Sequence, residues 1–341
     1  MPNISKINAV DIGNIAKVDG ATSSNIAKVD GLDLVTFTGL LDTYTGAAAG
    51  YSVRRIASGA TNLMRIREDS GDTETDIGYD SNGDLDTAAI ASHCGTANGF
   101  VVTWYDQSGN GNDATQPTAG GSALQPQIYN GTAVITENGK PALQYDGSDD
   151  FLTVPNDKTS FKFMHDGSFA TIESVARFGD SSNPDAALTL FDTGGLASNL
   201  KGAAIMYDDR SSVSRNNQMS IVLAAGVSGD SNRPVLIQAD DKITPNQQTL
   251  VYATIEADNA TADDRAKYAI SGGTLFGGNT NTATPSTENT SNDLHLGRYS
   301  ESNILQLLGT MQELVLWDAD HSASRSAIES DIDTYYTIPG M

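Results

Sequence analysis

The sequence has a single cysteine, Cys94, so no disulfide can form within the chain. Because small secreted β-rich proteins often depend on several disulfides, this shortage favours synthesis in a reducing cytosol. No apolar run reaches the roughly 18 residues that a membrane helix needs, and no basic start precedes an apolar stretch. We therefore expect neither a signal peptide nor membrane insertion.

Basic residues are also scarce. Lys and Arg number 20 against 43 Asp and Glu, which gives a formal charge of −23. This charge repels phosphate backbones and anionic lipid headgroups, so nucleic acid is excluded as a partner. With 38% apolar residues, 18% charged residues and 33 glycines, the 341-residue chain is predicted to be a turn-rich globular protein with an ample core.

A short repeat occupies the N-terminus. Asn-Ile-Ala-Lys-Val-Asp-Gly occurs at 14–20 and 25–31, and a degenerate copy begins at residue 3, which gives a period of 11 residues. One unit is too small to bury an apolar core of its own, and its Asp-Gly pair indicates short strands joined by turns. We predict that 1–33 is an anchoring or oligomerising arm, and that 34–341 is a separate domain. The predicted contact residues are the branched ones of the repeat: Ile4, Ile7, Ile15, Val18, Ile26 and Val29.

The body alternates short apolar runs with Gly, Asn, Asp and Ser clusters, which is typical of an all-β sandwich. The predicted strands are 63–67, 99–105, 141–145, 168–177, 187–192, 203–207, 220–225, 234–239, 249–256, 267–271, 293–297 and 309–317. A short helix is predicted near 86–94, capped by Asp86, and a C-terminal helix near 323–336, capped by Ser322. We expect Glu329, Asp331 and Asp333 on that second helix to form a solvated face. Trp104 and Trp317 end apolar strands, which predicts that both are core residues.

Several blocks of the body match a known pattern: 51–55, 76–78, 85–87, 99–114, 137–143, 145–150, 296–299 and 317–318. The block at 99–114, with its Trp-Tyr-Asp-Gln-Ser-Gly-Asn-Gly segment, is similar to the catalytic domain of the arabinofuranosidase B family. The same blocks resemble laminin-G-like domains of bacteriophage structural proteins, and the N-terminal repeat resembles arms of phage virion proteins. The resemblance covers about residues 44–337 and implies a concanavalin A-like jelly roll.

The resemblance also implies where a hydrolase site would lie. A retaining glycosidase needs two carboxyl groups about 5–5.5 Å apart. In the family the nucleophilic Glu follows an Ile-Met-x-Asp-x strand, and the nearest segment, 205–210, places Arg210 at that position. The family's acid/base residue follows a Leu-Gly pair, which places Glu301 nearby. Because a guanidinium cannot act as the nucleophile, the expectation is that the chain is not an enzyme.

Calcium is the one cofactor that the sequence indicates. Asp106, Ser108, Asn110 and Asn112 alternate as the oxygen ligands of a calcium loop do, with Gly111 at the turn, but Pro117 stands where a bidentate Glu is expected. The competing interpretation is that these side chains only hydrogen-bond their own turn.

The main functional hypothesis is a structural protein on the virion exterior, assembled in the host cytoplasm, serving in capsid decoration or tail attachment. Its partners would be phage capsid or tail proteins and further copies of the chain. One alternative is an adhesin that binds host surface glycan, with Asp208, Arg210 and Glu301 as candidate contacts in one groove. Another is an arabinofuranosidase-like glycoside hydrolase.

Overall fold

The computed structural model describes six two-residue strands within 6–33 and then residues 37–116, 122–155, 157–179, 187–210, 214–240, 242–302 and 304–341. The N-terminal strands are β1 Lys6–Ile7, β2 Val10–Asp11, β3 Lys17–Val18, β4 Ala21–Thr22, β5 Lys28–Val29 and β6 Leu32–Asp33. They pair antiparallel in three hairpins, with Lys6, Lys17 and Lys28 each opposite the residue five positions later. The 11-residue sequence repeat is therefore also a repeat of backbone structure. Of the predicted contact residues, Ile4, Ile15 and Ile26 lie outside the described residues.

Most strands of the body join one antiparallel sheet of 17 strands in the described part of the chain, and β13 and β14 form a separate hairpin. The strands are β7 Ala47–Ser52, β8 Met64–Glu68, β9 Glu74–Ile77, β10 Asn98–Trp104, β11 Ala114–Thr115, β12 Gln127–Asn130, β13 Thr136–Glu137, β14 Lys140–Pro141, β15 Leu143–Asp146, β16 Leu152–Val154, β17 Phe169–Phe178, β18 Ala187–Asp192, β19 Lys201–Asp208, β20 Gln218–Ala225, β21 Val235–Ala239, β22 Gln248–Glu256, β23 Ala266–Ile270, β24 Leu294–Leu296 and β25 Leu308–Trp317. The prediction of an all-β sandwich is confirmed.

The sheet curls around its core. β17 pairs with both β22 and β25, and β25 continues to β7 and β15. From β15 the pairing passes through β12 and β10, and then through β11 and β16 to β24, β18 and β19. Trp104 and Trp317 are both fully buried, which confirms their prediction as core residues.

Within the residues that the structure describes, three α-helices accompany the sheet: α1 Leu40–Thr43, α2 Thr87–Cys94 and α3 Arg325–Tyr336. Asp86 caps α2 as predicted, because its side chain accepts a hydrogen bond from the Ala89 amide. No helix among the described residues is long and apolar enough to cross a membrane.

Two predictions about the C-terminal helix are wrong. Ser322 does not cap it, because Ser322–Ser324 forms a separate 3₁₀ turn and α3 begins at Arg325. Glu329 is not solvated, because α3 lies against the sheet and Arg325 pairs with the Glu329 carboxylate at 2.8 Å in a buried position. Ile328 and Ile332 of the same helix belong to the core.

Candidate functional site

The predicted calcium loop is organised by its own hydrogen bonds. Asp106 Oδ1 accepts from the amides of Gly50 and Ser108, and Asp106 Oδ2 accepts from the Ser108 hydroxyl and the Asn112 amide. The Asn110 and Asn112 side chains donate to backbone carbonyls of β7. Every side chain of the predicted ligand set therefore already has a protein partner in a turn that locks onto the neighbouring strand.

Two open clefts flank this loop. One, of about 500 Å³, is lined by Tyr105, Gln107 and Ser108 among others, and one of about 710 Å³ is lined by Ser108, Asn110 and Asn112 among others. Both volumes fit a small ligand. Both polar atoms of the Gln107 side-chain amide form hydrogen bonds within the protein, and the Tyr105 hydroxyl donates to Asp76. The clefts therefore have suitable shape, but many of their polar side chains are already engaged.

A different set of carboxylates converges at the turn after β15. Asp146, Asp149 and Asp150 have carboxylate oxygens within 4.8 Å of one another. Burial raises the pKa of Asp150 to about 7, and the charges of Asp146 and Asp149 add to the effect. Among the described residues this is the acidic group whose geometry suits a cation, whereas the sequence pointed to the Asp106 loop.

The three residues predicted as glycan contacts do not meet in one groove. Asp208 ends β19 opposite Ala187, at the start of β18, and it pairs with Arg210 at 2.7 Å. Glu301 bonds to Asn292, whose amide donates to the carbonyl of Thr193, just beyond the other end of β18. The six residues of β18 span about 20 Å, and this strand separates Asp208 and Arg210 from Glu301. The prediction of a shared groove is therefore wrong.

Glu301 belongs to a polar surface over β24, which we call the β24 strip and define as Phe151, Asn292, His295, Arg298, Tyr299, Ser300 and Glu301. Leu294 and Leu296 point into the core, so His295 between them points outward. His295 lies opposite Thr153 on one side and Asp192 on the other. Burial lowers the pKa of His295, and its Nδ1 lies 2.9 Å from the Asp293 carbonyl, so the ring is neutral near pH 7.

A chain of hydrogen bonds fixes Glu301. Asp192 Oδ2 accepts from both the amide and the hydroxyl of Ser300. Asn292 Nδ2 donates to Ser300 Oγ at 2.8 Å and to Glu301 Oε1 at 2.9 Å. Three bonds in series hold the carboxyl groups of Asp192 and Glu301 within about 8 Å of each other. That upper bound admits the separations found between the two carboxyl groups of glycosidases.

The two carboxyl groups differ in environment. Asp192 is fully buried, and its Oδ1 also accepts from the amides of Gly194, Gly195 and Leu196. Burial raises its pKa, while the donors from Ser300 and these amides act in the opposite direction. Glu301 is exposed, and among the described residues only its Oε1 is bonded. Glu301 is therefore the carboxylate that a ligand can reach, and Asp192 positions it.

Sequence reasoning identified Glu301 but missed its partners. Asp192 and Ser300 are 108 positions apart, and no local pattern joins them. Arg298 and Tyr299 of the strip stand within the Leu-Gly-Arg-Tyr block that the family resemblance used, so a local signal existed for these two residues.

Comparison with known proteins supports the fold. An arabinofuranosidase complexed with arabinofuranosyl-α-1,2-xylobiose superposes with a TM-score of 0.59 and 16% identity, covering 86% of this chain and 64% of that one. A GH54 α-L-arabinofuranosidase soaked with a cyclic sulfate inhibitor gives a TM-score of 0.60, 16% identity and coverages of 86% and 65%. This chain thus spans slightly less than two thirds of the length of those enzymes. No family model matches the sequence, and no curated protein matches it.

These neighbours correct the prediction that the chain is not an enzyme. Two solved structures that share its fold over 86% of its length are glycoside hydrolases, one of them with a bound arabinofuranosyl oligosaccharide. The prediction had rested on Arg210 at the nucleophile position. Because Arg210 lies at the far end of β18 from Glu301, it does not occupy a site shared with that carboxylate, and the reason for excluding activity fails.

Proposed function

We propose that the chain recognises a glycan on the β24 strip, in the manner of a carbohydrate-binding or glycoside-hydrolase-like protein. The observation that carries this proposal is the exposed carboxylate of Glu301, held in place by Asn292 and Ser300 while one of its oxygens stays unbonded. Tyr299, half-buried beside them, adds an aromatic surface. A fixed carboxylate, an amide and an aromatic ring are the groups that bind sugar hydroxyls and stack on sugar rings.

The strip suits a ligand better than the two clefts at the Asp106 loop. In the clefts the side chains of Asp106, Gln107 and Asn112 are engaged by neighbouring protein groups. On the strip, Glu301 Oε2 and His295 Nε2 have no protein partner among the described residues. Ligand groups can bond to free acceptors without breaking protein hydrogen bonds, which would otherwise cost binding energy.

Calorimetric titration with arabinofuranosyl-xylobiose tests the proposal. We expect binding by the wild type, a loss of about tenfold or more in Glu301→Gln, and no change in Glu288→Gln, a matched control at an exposed acid outside the strip. Release of nitrophenol from 4-nitrophenyl α-L-arabinofuranoside is measured in parallel. Turnover that disappears only in Glu301→Gln adds hydrolysis to recognition, and binding that Glu301→Gln leaves unchanged refutes the strip as the site.

A second candidate function concerns the N-terminal arm. We propose that 1–33 attaches the chain to phage capsid or tail proteins, or to further copies of itself, so that the jelly roll is displayed on a virion exterior. The supporting observation is that three hairpins recur in the same register, because isolated two-residue hairpins need a partner surface. Deleting 1–33 should leave the melting temperature within about 2 °C while abolishing particle loading or oligomerisation. A truncated chain that still assembles normally would refute this role.

A further inference from the structure

Arg298 differs from the other ten arginines of the chain. Arg55 and Arg265 donate to backbone carbonyls. The remaining eight pair with carboxylates: Arg54, Arg65, Arg67, Arg177, Arg210, Arg215, Arg233 and Arg325. Arg298 alone has neither kind of partner among the described residues. In a chain with 43 acidic side chains, an arginine without an acceptor needs an explanation.

The surroundings of Arg298 hold it in place without satisfying its donors. Its guanidinium carbon lies 3.4 Å from the centre of the Phe151 ring, and Phe151 in turn stacks on His295 with ring centres 5.8 Å apart. Arg298 Nε is buried and has no acceptor. The guanidinium is therefore held over an aromatic ring, and its N–H groups have no acceptor in the described part of the chain.

Stacking alone does not account for this arrangement. Arg54, Arg55 and Arg67 also stack on aromatic rings, and each of them uses its N–H groups on a carboxylate or a carbonyl as well. At Arg298, burial lowers the pKa of the guanidinium, and no carboxylate of the described residues offsets the effect. An arginine stays charged at any working pH, so the fold holds a partly desolvated cation that has no counter-charge among the described residues.

We propose that Arg298 receives an anionic group of the ligand on the β24 strip, a sugar carboxylate, so that the strip selects acidic glycans. This inference rests on the proposed glycan-binding function and names the ligand class for that site. A planar guanidinium binds a carboxylate through two parallel hydrogen bonds, and stacking on Phe151 fixes the plane in advance.

The acidic residue of the strip does not oppose this assignment. Glu301 is held by Asn292, which precedes β24, whereas Arg298 follows the end of that strand. Neutral sugar hydroxyls can therefore meet Glu301 while an acidic substituent meets Arg298. The two ends of the strip divide the recognition of one oligosaccharide between a hydroxyl-binding group and an anion-binding group.

The test compares two probes that differ only in charge: a xylotriose carrying one glucuronic acid, and the methyl ester of the same oligosaccharide. We expect the wild type to bind the acid about tenfold or more tightly than the ester. Arg298→Gln should bring the ratio close to one, because the affinity for the acid falls about tenfold or more. Arg298→Lys, which keeps the charge without the planar fork, should retain part of the preference.

Lys242→Gln serves as the matched control, because Lys242 also stacks on a phenylalanine, with its Nζ 4.7 Å from the Phe276 ring centre, but lies outside the strip. Its acid-to-ester ratio should equal that of the wild type, and melting temperatures show that all variants are folded. Equal affinities of the wild type for acid and ester would overturn the role of Arg298 and leave glycan recognition standing. Failure to bind either probe or arabinofuranosyl-xylobiose would overturn both.

Discussion

Replacing Asp192 by Asn should destabilise the fold by about 3 kcal/mol. The carboxylate accepts five hydrogen bonds in a fully buried position. The side-chain oxygen of the introduced Asn can still accept from the three backbone amides after β18. Its NH₂ group then faces the backbone N–H of Ser300, and two donors cannot form a hydrogen bond. Leaving that N–H unsatisfied costs about 1–3 kcal/mol, and the three remaining bonds lose their charge assistance.

Urea unfolding measures this loss, and Asp157→Asn is the matched control. Asp157 also accepts backbone amides, from Thr159 and Ser160, but at a partly exposed turn where the expected loss is below about 1 kcal/mol. Asp192→Asn should also weaken glycan binding although Glu301 is intact, because Ser300 and Asn292 lose their anchor. A loss of stability no larger than that of Asp157→Asn, with unchanged glycan affinity, would refute the positioning role of Asp192.

Three further predictions concern other parts of the molecule. Burial and the nearby Glu329 raise the pKa of Glu173 well above its ordinary value, so the folded state binds this proton more tightly than the unfolded state does. The free energy of unfolding therefore falls by about 1.4 kcal/mol per pH unit from about pH 4.5 up to the folded-state pKa. In urea unfolding from pH 4 to 8, the free energy of unfolding of Glu173→Gln should increase relative to that of the wild type as the pH rises. A difference between the two proteins that stays constant with pH would contradict this. A rise in melting temperature on adding calcium should persist in Asp106→Ala and disappear in Asp149→Asn, because the Asp106 carboxylate is already bonded within its turn, whereas the reverse pattern would place the site at the Asp106 loop. Arg54→Met should lower the free energy of unfolding in urea by about 3–5 kcal/mol, because it leaves the buried Glu313 carboxylate without its cation. A loss below about 1 kcal/mol, which is typical of an exposed ion pair, would contradict this.

The sheet was predictable because its central strands are apolar along their length. The strand at 187–192 matches β18 residue for residue, and β17, β22 and β25 agree with prediction to within one residue at each end. β7 was missed, because its Ala-Ala-Ala-Gly start lacks the branched and aromatic residues that mark strands. Its burial comes from pairing with β25, more than 250 positions away in sequence, so no local pattern reveals it.

The site was less predictable than the fold because it depends on long-range contacts. The Leu-Gly pair led to Glu301, but neither Asp192 nor Asn292 carries a signal in its own segment. Arg210 misled the interpretation for the same reason, since its sequence position suggested a site that the course of β18 separates from Glu301 by about 20 Å. A carboxylate becomes recognisable as functional only when its hydrogen-bond partners are known.

A crystal structure of the chain soaked with arabinofuranosyl-xylobiose tests the glycan site most directly. We expect the oligosaccharide on the β24 strip, with Glu301 and Asn292 within hydrogen-bond distance of its hydroxyls and Arg298 beside its end. Density for the sugar in the clefts beside Tyr105, with the strip unchanged, would contradict the assignment of the site.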